Sequence, residues 1–366
     1  MGRKGTRLLD LVLMKEELKS ELSQYYDLKK IRHNEHAKRP PIFCGMTIHP
    51  GYGCSLGCVY CYVYDMGMKE VKVGELSGEE LVLALCSNPY FLPKETLIAV
   101  GSITEPFLRE LEGKTYEYIE AISSYLKNPI QISTKKCPSF PERLKRADEN
   151  ISFLMSFSSF YGELEPKSPV RNRIKCLKML KHIGIKTYAF IRPIIPGITE
   201  KSICELLLEV KNTDARGIVL GSLRITPRIL EALSHFVNKE EILKRVTRKF
   251  KGKDDQVPIK TEDIKAEIRQ VAIKIGLRIF PSACAANIDA HNMGCNLCKN
   301  GPCGKFTLKH EEDVYEFFEY RKLRADIVDF SRDKIVIASN KKLKREDKII
   351  LETYFKVPVI LLSRNF

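Results

Sequence analysis

Apolar and polar positions follow a repeating rhythm between residues 42 and 237. A β-rich apolar segment is followed by a turn and then by a helical pattern of roughly 12 to 16 residues. The apolar segments cover 96–102, 130–135, 151–159, 186–194 and 215–225. With one more strand expected at the start of this region, the pattern predicts about six strand–helix units and a parallel sheet. Periodicity leaves open whether the sheet is open or curls into a full or partial barrel.

The regions on either side of this core have different patterns. Residues 1–41 predict a helical N-terminal extension. Residues 238–304 contain a basic linker and then a cysteine-rich region. Residues 305–366 include KIVIAS, KREDKIILETYF and VPVILLS, which predict a strand, a helix and a strand in a small α/β subdomain.

Polar residues and glycine interrupt the apolar pattern where the predicted strands end. The carboxyl ends of parallel strands meet at one edge of the sheet and carry the chemistry in both open sheets and barrels. We therefore expect these residues to face a common mouth. They are Gly101 and Ser102, Thr134 and Lys135, Ser156 to Ser159, Arg192 and Pro193, and Arg224.

The composition is that of a globular protein. The chain has 366 residues, of which 44% are hydrophobic, enough for a sizeable core. No apolar run approaches the roughly 20 residues that span a bilayer, and the N-terminus lacks the apolar core of a signal peptide. We therefore expect a cytoplasmic protein with no membrane segment. In that compartment cysteines are usually metal ligands, catalytic groups or buried side chains, and Cys86, Cys176 and Cys204 lie in apolar helical patterns that predict the core.

The net charge of +15 favours an anionic partner such as a nucleic acid or an acidic metabolite. The most concentrated basic run is KRVTRKFKGK at 244–253, which would suit a phosphate-binding loop. A solvated, lysine-rich surface explains the same charge equally well. Charge alone therefore does not select the partner.

Three cysteines stand close together in GYGCSLGCVYCYVYDMG, at Cys54, Cys58 and Cys61. Thiolates in a short glycine-rich loop can reach three irons of a [4Fe–4S] cluster, which leaves the fourth iron without a protein ligand. An open metal position is typical of a catalytic site. The spacing therefore predicts a cluster that takes part in chemistry.

A second group of cysteines follows in SACAANIDAHNMGCNLCKNGPCGK. Cys284, Cys295, Cys298 and Cys303 are four possible ligands, so they can close a site without an open position. The spacing suits either a second [4Fe–4S] cluster or tetrahedral zinc, and His291 is an alternative ligand. We favour the cluster; a zinc site would be structural or would grip nucleic acid.

CSLGCVYC resembles the CxxxCxxC motif of the radical S-adenosylmethionine (radical SAM) superfamily. The resemblance extends over about residues 42–200 and favours the spore photoproduct lyase-like branch. It rests on six segments that occur in the same order, IHPGYGCSLGCVYCYVYDMG, VGSITEPFLRELEGKT, ISTKK, SFLMSFSS, LEPKSPVRNR and IRPIIPGITE. It implies a partial parallel (β/α)6 barrel, SAM bound to the open iron, a 5′-deoxyadenosyl radical that abstracts hydrogen, and a reductant such as ferredoxin or flavodoxin.

The resemblance also implies roles for individual residues. Cys54, Cys58 and Cys61 would hold the cluster, and Tyr60 would cover the adenine or the cluster. Residues expected around SAM are Gly101, Ser102, Lys135 and Ser158 at strand ends, Arg171 or Arg173 for the carboxylate, and Ile194 as part of an apolar wall. Lysine and arginine suit a carboxylate because they donate charged hydrogen bonds.

Two differences from the sequence pattern of the spore photoproduct lyase-like branch limit how far its residue roles apply to this chain. The branch has Asp in a TDP segment where this chain has Glu105, at a position expected to face the pocket. The cysteine that donates hydrogen in photoproduct lyase has no counterpart after the second strand, and Cys137 is the nearest substitute. Tyr62 and Tyr64 are candidate hydrogen relays.

These observations lead to one preferred function and two alternatives. The preferred function is a radical SAM enzyme that repairs or modifies a nucleic acid. The first alternative is a radical SAM enzyme that modifies a peptide or protein and carries an auxiliary cluster. The second is a non-catalytic iron–sulfur protein that binds nucleic acid.

Overall fold

The computed structural model of the protein describes residues 6–41 and 45–363. The first three positions of the predicted core, 42–44, lie outside the described residues, and so do both chain ends. The strands are β1 Gly45–Ile48, β2 Gly51–Tyr52, β3 Lys72–Val73, β4 Leu97–Val100, β5 Ile130–Thr134, β6 Ile151–Phe157, β7 Lys186–Ile194, β8 Ile218–Ser222, β9 Arg224–Ile225, β10 Val257–Pro258, β11 Ile279–Phe280, β12 Gly294–Cys295, β13 Cys303–Gly304, β14 Ala325–Phe330, β15 Ile335–Ser339 and β16 Val359–Ser363.

The α-helices surround these strands. They are α1 Leu8–Leu22, α2 Leu28–His33, α3 Gly78–Ser87, α4 Glu112–Ala121, α5 Pro141–Leu144, α6 Val170–His182, α7 Ile203–Lys211, α8 Pro227–Leu233, α9 Lys239–Leu243, α10 Glu262–Lys274, α11 Ala283–Ala290, α12 Glu312–Tyr320 and α13 Arg345–Phe355. A π-helical turn, Ile122–Leu126, continues α4. Within the described residues, no helix has the length and apolarity needed to cross a bilayer.

The main sheet has seven parallel strands in the order β1-β4-β5-β6-β7-β8-β11. Among the described residues its two edge strands, β1 and β11, do not pair with each other, so the barrel is not closed. This agrees with the predicted fold class, a partial barrel. The six expected strands are present. The seventh, β11, comes from beyond residue 237 and is too short to produce a recognisable apolar pattern.

Both faces of this sheet are covered, which explains why β6 is buried at every position. On one face Phe153, Met155 and Phe157 pack in the main core, together with residues of α3, α4, α6, α7 and α10. On the other face Leu154 and Tyr188 pack against α11. The helix α11 therefore packs on the face of the sheet opposite the main core.

The C-terminal region forms the predicted strand–helix–strand unit. Strands β15 and β16 are parallel and joined by α13, and β14 adds an antiparallel edge. Leu8 and Leu11 of α1 pack in the same apolar cluster as Phe317 of α12. The N-terminal helix therefore covers this subdomain, and a hydrogen bond of 3.1 Å from the Leu8 amide to the Asp313 carboxylate fixes its start.

The isolated cysteines differ in their surroundings. Cys86 is buried in the main core, as predicted. Cys204 is exposed on α7, so its predicted core position is wrong. Cys176 is buried but forms a disulfide with Cys137.

Candidate active site

The three-cysteine loop lies at the carboxyl edge of the main sheet, directly after β1 and β2. Cys54 and Cys58 are 8% and 7% exposed, and Cys61 is half-buried. Burial raises the pKa of the Cys54 thiol to about 11 and that of Cys58 to about 12. The cysteines pack with Leu56, Tyr60, Leu164, Ile195 and neighbouring apolar residues, which keeps water away from the sulfur atoms.

Two strand-end loops hold the cysteine loop in place. The Thr104 hydroxyl, after β4, donates a 2.5 Å hydrogen bond to the Gly53 carbonyl. The Val59 amide donates to the Leu164 carbonyl in the β6–α6 loop at 3.0 Å. The loop is therefore fixed on both sides before any ligand arrives.

A third anchor comes from α8, where Arg228 donates hydrogen bonds to the carbonyl of Cys61 and to the carboxylate of Asp65. Asp65 is only 4% exposed and also accepts a 2.9 Å hydrogen bond from the Thr226 hydroxyl. Sequence reasoning missed Asp65 and Arg228, because 163 residues separate them and neither belongs to a motif. Their positive and negative groups fix the backbone just after the third cysteine.

Tyr60 is tied to a buried ion pair. Its hydroxyl donates to the Glu165 carboxylate, which also pairs with the guanidinium of Arg173. Arg173 donates further to the carbonyls of Ser156 and Ser168. The prediction that Arg173 takes a carboxylate of SAM is therefore corrected, because its guanidinium already holds a buried partner. Arg171 is exposed on α6, and its predicted role stays a prediction.

Lys135 places a positive charge beside the cysteine loop. Its Nζ lies 5.6 Å from the centre of the Tyr60 ring. Its charge also opposes the rise that burial causes in the pKa of Cys54, Cys58 and Cys61. A single ammonium group near all three sulfur atoms is well placed for an anionic group that binds at the cluster.

Glu105 positions Lys135 instead of facing the pocket. The Glu105 carboxylate is 4% exposed, accepts the Lys135 amide hydrogen at 2.7 Å and accepts the Thr134 hydroxyl. Burial raises the pKa of Glu105. The expectation that Glu105 faces the pocket is therefore corrected: its carboxylate binds Thr134 and Lys135 at the carboxyl end of β5.

The end of β4 approaches the neighbouring strand closely. Gly101 has φ of +92°, and a Cβ there would lie 2.0 Å from the Ser133 carbonyl oxygen, so only glycine fits.

The Tyr62 hydroxyl donates to the Ser102 carbonyl. Tyr64 donates to the Cys54 carbonyl at 3.1 Å. Both phenols therefore bind backbone near the cysteines, and their role as relays stays a prediction.

Ser158 and Ile194 are both fully buried, but only Ser158 has a polar group, its hydroxyl, without a hydrogen-bond partner among the described residues. A buried hydroxyl without a partner is costly unless a ligand or water satisfies it. Ile194 is fully buried in the main core, so its predicted place in an open apolar wall is corrected. Its neighbour Ile195 packs with the cysteine loop instead.

Cys137 cannot donate hydrogen in this structure. Its sulfur is bonded to that of Cys176 on α6, and a disulfide carries no S–H. The proposed donor role is therefore corrected for the oxidised chain. The disulfide is also a use of cysteine other than the metal-binding, catalytic and buried roles expected from the sequence.

The four C-terminal cysteines lie in neighbouring elements of the fold, α11, β12, β13 and the turn between the two strands. Cys295 and Cys303 face each other across β12 and β13, Cys284 lies in the first turn of α11, and Cys298 is exposed in the intervening turn. Burial raises the pKa of Cys303 to about 11, and the other three cysteines raise it further. His291 instead turns its Nδ1 towards the Asn287 carbonyl, at 2.8 Å. At neither cysteine site do three described His, Cys, Asp or Glu side chains already converge as they would around an ion.

Three of the six cations in the basic run 244–253 are paired with nearby carboxylates. Arg245 pairs with Asp263 at 2.7 Å, and Arg248 forms a two-pronged pair with Asp255. Lys244 pairs with a glutamate at 2.8 Å. The idea that this run is a free phosphate-binding loop is therefore not supported for its arginines.

Residues 48–210 match the family profile of the radical SAM superfamily. Residues 48–210 therefore form a domain of the radical SAM type. The match contains the cysteine loop and the strands from β2 to β7. The domain implies a [4Fe–4S] cluster and SAM.

Solved structures of spore photoproduct lyase variants have a similar fold. One has a TM-score of 0.52 and 16% sequence identity, and the similarity covers 71% of this chain and 90% of that chain. Another, with bound AdoMet and dinucleoside spore photoproduct, has a TM-score of 0.51 and 15% identity, with 72% and 91% coverage. At these identities the likeness establishes the fold alone.

A curated relative comes from Acidianus two-tailed virus. It is an uncharacterized protein, ORF301, which is 22% identical over 206 residues, or 46% of this chain and 68% of the viral protein. Its description assigns no activity. It therefore adds a relative but no function.

The residues present fit the implied cofactors. Three thiols share one buried loop, and a lysine ammonium lies beside them. Ser158, whose hydroxyl has no hydrogen-bond partner among the described residues, directly follows β6. Thiolate donors are those that iron–sulfur clusters use, and a cluster takes them at separate irons. The site thus offers suitable donors both for the cluster and for a polar ligand beside it.

Proposed function

We propose that this protein is a radical SAM enzyme that repairs or modifies a nucleic acid. The main support is a fold likeness that extends over 90% of a spore photoproduct lyase chain, well beyond the domain shared by the superfamily. A relative of this fold holds AdoMet together with a dinucleoside. The positive net charge agrees with an anionic substrate.

The chain's own residues have distinct tasks in this proposal. Cys54, Cys58 and Cys61 hold the cluster as thiolates. Lys135 neutralises the carboxylate of SAM, and Ser158 gives its free hydroxyl to the ribose or the methionine part. When bound, the cluster and SAM supply a one-electron reductive cleavage that yields a hydrogen-abstracting carbon radical. The apolar packing around the loop excludes water that would quench such chemistry.

The second cysteine site is proposed to hold another [4Fe–4S] cluster, with zinc as the alternative. Anaerobic reconstitution followed by iron and zinc analysis distinguishes them. We expect about eight irons in the wild type and about four when Cys54, Cys58 and Cys61 are all replaced by alanine, since each cluster of this type contains four. Four irons falling to none, with zinc retained, would make the second site a zinc site.

The enzymatic part is tested by adding SAM to the reduced, reconstituted protein. We expect SAM to perturb the electron paramagnetic resonance signal of the cluster and 5′-deoxyadenosine to form. A ferredoxin or flavodoxin is the proposed physiological reductant, in a cytoplasmic setting. A signal that SAM leaves unchanged, with no 5′-deoxyadenosine, would favour the non-catalytic iron–sulfur protein.

The substrate class is tested by binding. We expect affinity for single- or double-stranded oligonucleotides that falls steeply as salt rises, because phosphate contacts release counterions. An acidic peptide of equal charge is the comparison. Preference for the peptide would favour the peptide-modifying alternative.

A further inference from the structure

The two faces of the main sheet are covered to different extents at β5. On one face, Ile130 and Ile132 are fully buried in the main core. On the other face, α11 packs on Leu154 of β6, which is fully buried. Ser133 of β5 pairs with Leu154 in the register of the sheet but is partly exposed. In the described part of the chain, the α11 side of the sheet is therefore partly open over β5.

A row of paired residues crosses this side of the sheet. The register places Thr47 of β1 beside Ala99 of β4, and it places Gln131 of β5 between Ala99 and Ser152 of β6. The Ser152 hydroxyl lies 3.5 Å from the side-chain oxygen of Asn287 in α11. Because residues paired across a sheet point to the same face, the whole row lies on the α11 side.

Small side chains line the open part of this face. Thr47, Ala99 and Ser133 are each partly exposed, and none is larger than threonine. We call these three residues the small-residue strip. It lies below the candidate active site, because β4 leads to Thr104, which holds the cysteine loop, and β5 leads to Lys135.

Gln131 has a polar group without a partner beside this strip. The residue is 4% exposed, and its Nε2 has no hydrogen-bond partner among the described residues. By contrast, the hydroxyl of its buried neighbour Ser152 donates to the Ile130 carbonyl at 3.3 Å. A buried donor without a partner is costly unless a ligand or water satisfies it. The amide of Gln131 is therefore available to a ligand that lies on the strip.

The chemistry of a carboxamide indicates what this ligand is. A glutamine side chain offers a donor and an acceptor side by side, and with them it forms two hydrogen bonds to the edge of a nucleobase such as adenine. Gln131 lies four residues before Lys135, which is about 13 Å along an extended strand. The strip therefore runs from the Gln131 amide towards the ammonium group beside the cysteine loop, and its small side chains leave room for a flat ring.

We propose that Gln131 recognises the hydrogen-bonding edge of a substrate base that lies on the small-residue strip. This inference rests on the proposed function, because it assumes a nucleic-acid substrate. It assigns the selection of the base to a neutral residue within the sheet, separate from any group that contacts phosphate.

The test measures binding of fluorescent single-stranded octamers of dA, dC or dT to the reconstituted protein with SAM. The wild type should bind the best of the three about tenfold more tightly than the worst, the discrimination that one two-pronged base contact supplies. Gln131→Met should reduce this ratio to about one by weakening only the preferred octamer. The salt dependence of binding should stay the same, because no charge is lost.

A second variant, Ala99→Leu, tests the strip itself. Its larger side chain should occupy the space for the base and reduce the preference in the same way, although the Gln131 amide is kept. The matched control is Thr187→Val. Thr187 is 1% exposed, and its hydroxyl also has no partner among the described residues, but it pairs with Phe153 on the main-core face. This control should keep the wild-type preference.

Urea denaturation and SAM binding separate base recognition from other roles of Gln131. Gln131→Met should keep or raise the free energy of unfolding, since it removes a buried donor without a partner, and SAM affinity should not change. A loss of stability would make the amide structural, and a loss of SAM affinity would make it part of the SAM site; each result overturns the inference.

The octamers also distinguish this inference from the proposed function. If the wild type binds them without preference, or if Gln131→Met keeps the preference, base recognition by Gln131 is overturned while the proposed function stands. If the wild type binds no octamer, both are overturned.

Discussion

Tyr60 donates a hydrogen bond to Glu165, a residue 105 positions later in the chain. Glu165 pairs in turn with Arg173, and the two side chains are 0% and 1% exposed. The residue before the third cysteine is thereby joined to the first turns of α6. Because the pair is out of reach of solvent, the cysteine loop and the β6–α6 loop behave as one unit.

Replacing Glu165 by glutamine should therefore destabilise the protein strongly. Removing one partner of a buried ion pair leaves an uncompensated charge and costs about 3–5 kcal/mol. The free energy of unfolding, measured by urea denaturation, is the readout. Glu231→Gln is the control, since Glu231 and Lys239 form an exposed pair that water screens, so its loss should change stability little. Equal losses in the two variants would contradict the role of the buried pair.

Lys135 and Lys136 are adjacent but should respond differently to mutation. Lys135→Met removes the ammonium beside the three cysteines and should weaken SAM binding at least about tenfold, the effect of losing a charged hydrogen bond. The iron content should not change, because lysine is not a ligand. Equilibrium dialysis with SAM under anaerobic conditions measures the affinity.

Lys136→Met is the matched control for this experiment. The structure shows Lys136 bound through its backbone to the Thr134 hydroxyl, and a methionine leaves that contact intact. SAM affinity should stay at the wild-type value. A loss shared by both variants would indicate general electrostatics instead of a specific contact to SAM.

The sequence predicts the strand–helix order of this protein well but not the contacts that fix its site. Strands buried on both faces, such as β6, produce long apolar segments that are visible in the sequence. The two residues of β11 produce none. The partners of Tyr60 and Cys137 are equally invisible, because each comes from a different loop or helix and depends on how the chain packs.

The residues of the sequence motifs show the same difference between what the sequence predicts and what depends on packing. Cys54, Cys58 and Cys61 are found from spacing alone, since one short loop carries all three. Arg173 and Glu105 also follow from motif positions, but their roles do not: each is buried against its own partners. The sequence shows which chemical groups lie near the site. Packing decides which of these groups are free to bind a ligand and which are held by other residues.

The disulfide between Cys137 and Cys176 should stabilise the oxidised chain. It closes a loop with a sequence separation of 39 residues, and a bridge of this size contributes typically 2–4 kcal/mol by restricting the unfolded chain. Cys137→Ser should lower the free energy of unfolding by about that amount, with unchanged iron content. The same variant under reducing conditions is the control, and there it should match the reduced wild type. An iron loss in Cys137→Ser would instead make this cysteine part of the metal site.

Two buried histidines should make the protein less stable in mild acid. His36 Nε2 accepts the His49 amide hydrogen at 3.1 Å, and His49 Nε2 lies 2.6 Å from a guanidinium nitrogen of Arg39, so both rings are neutral. Burial lowers the pKa of His36 to about 4 and that of His49 to about 3, whereas an unfolded histidine titrates near 6.5.

As the pH falls from about 6.5 to about 4, the unfolded chain therefore binds protons that the folded chain does not, and the free energy of unfolding decreases. Above about pH 6.5 the unfolded histidines are neutral as well, so the two buried rings no longer lower the free energy of unfolding. Each unit of pKa difference corresponds to about 1.4 kcal/mol. Urea denaturation between pH 7 and 4.5 should show a smaller pH dependence for His36→Asn than for the wild type. His182→Asn, at an exposed position on α6, should keep the wild-type dependence; an equal reduction in both variants would refute the assignment to the buried histidines.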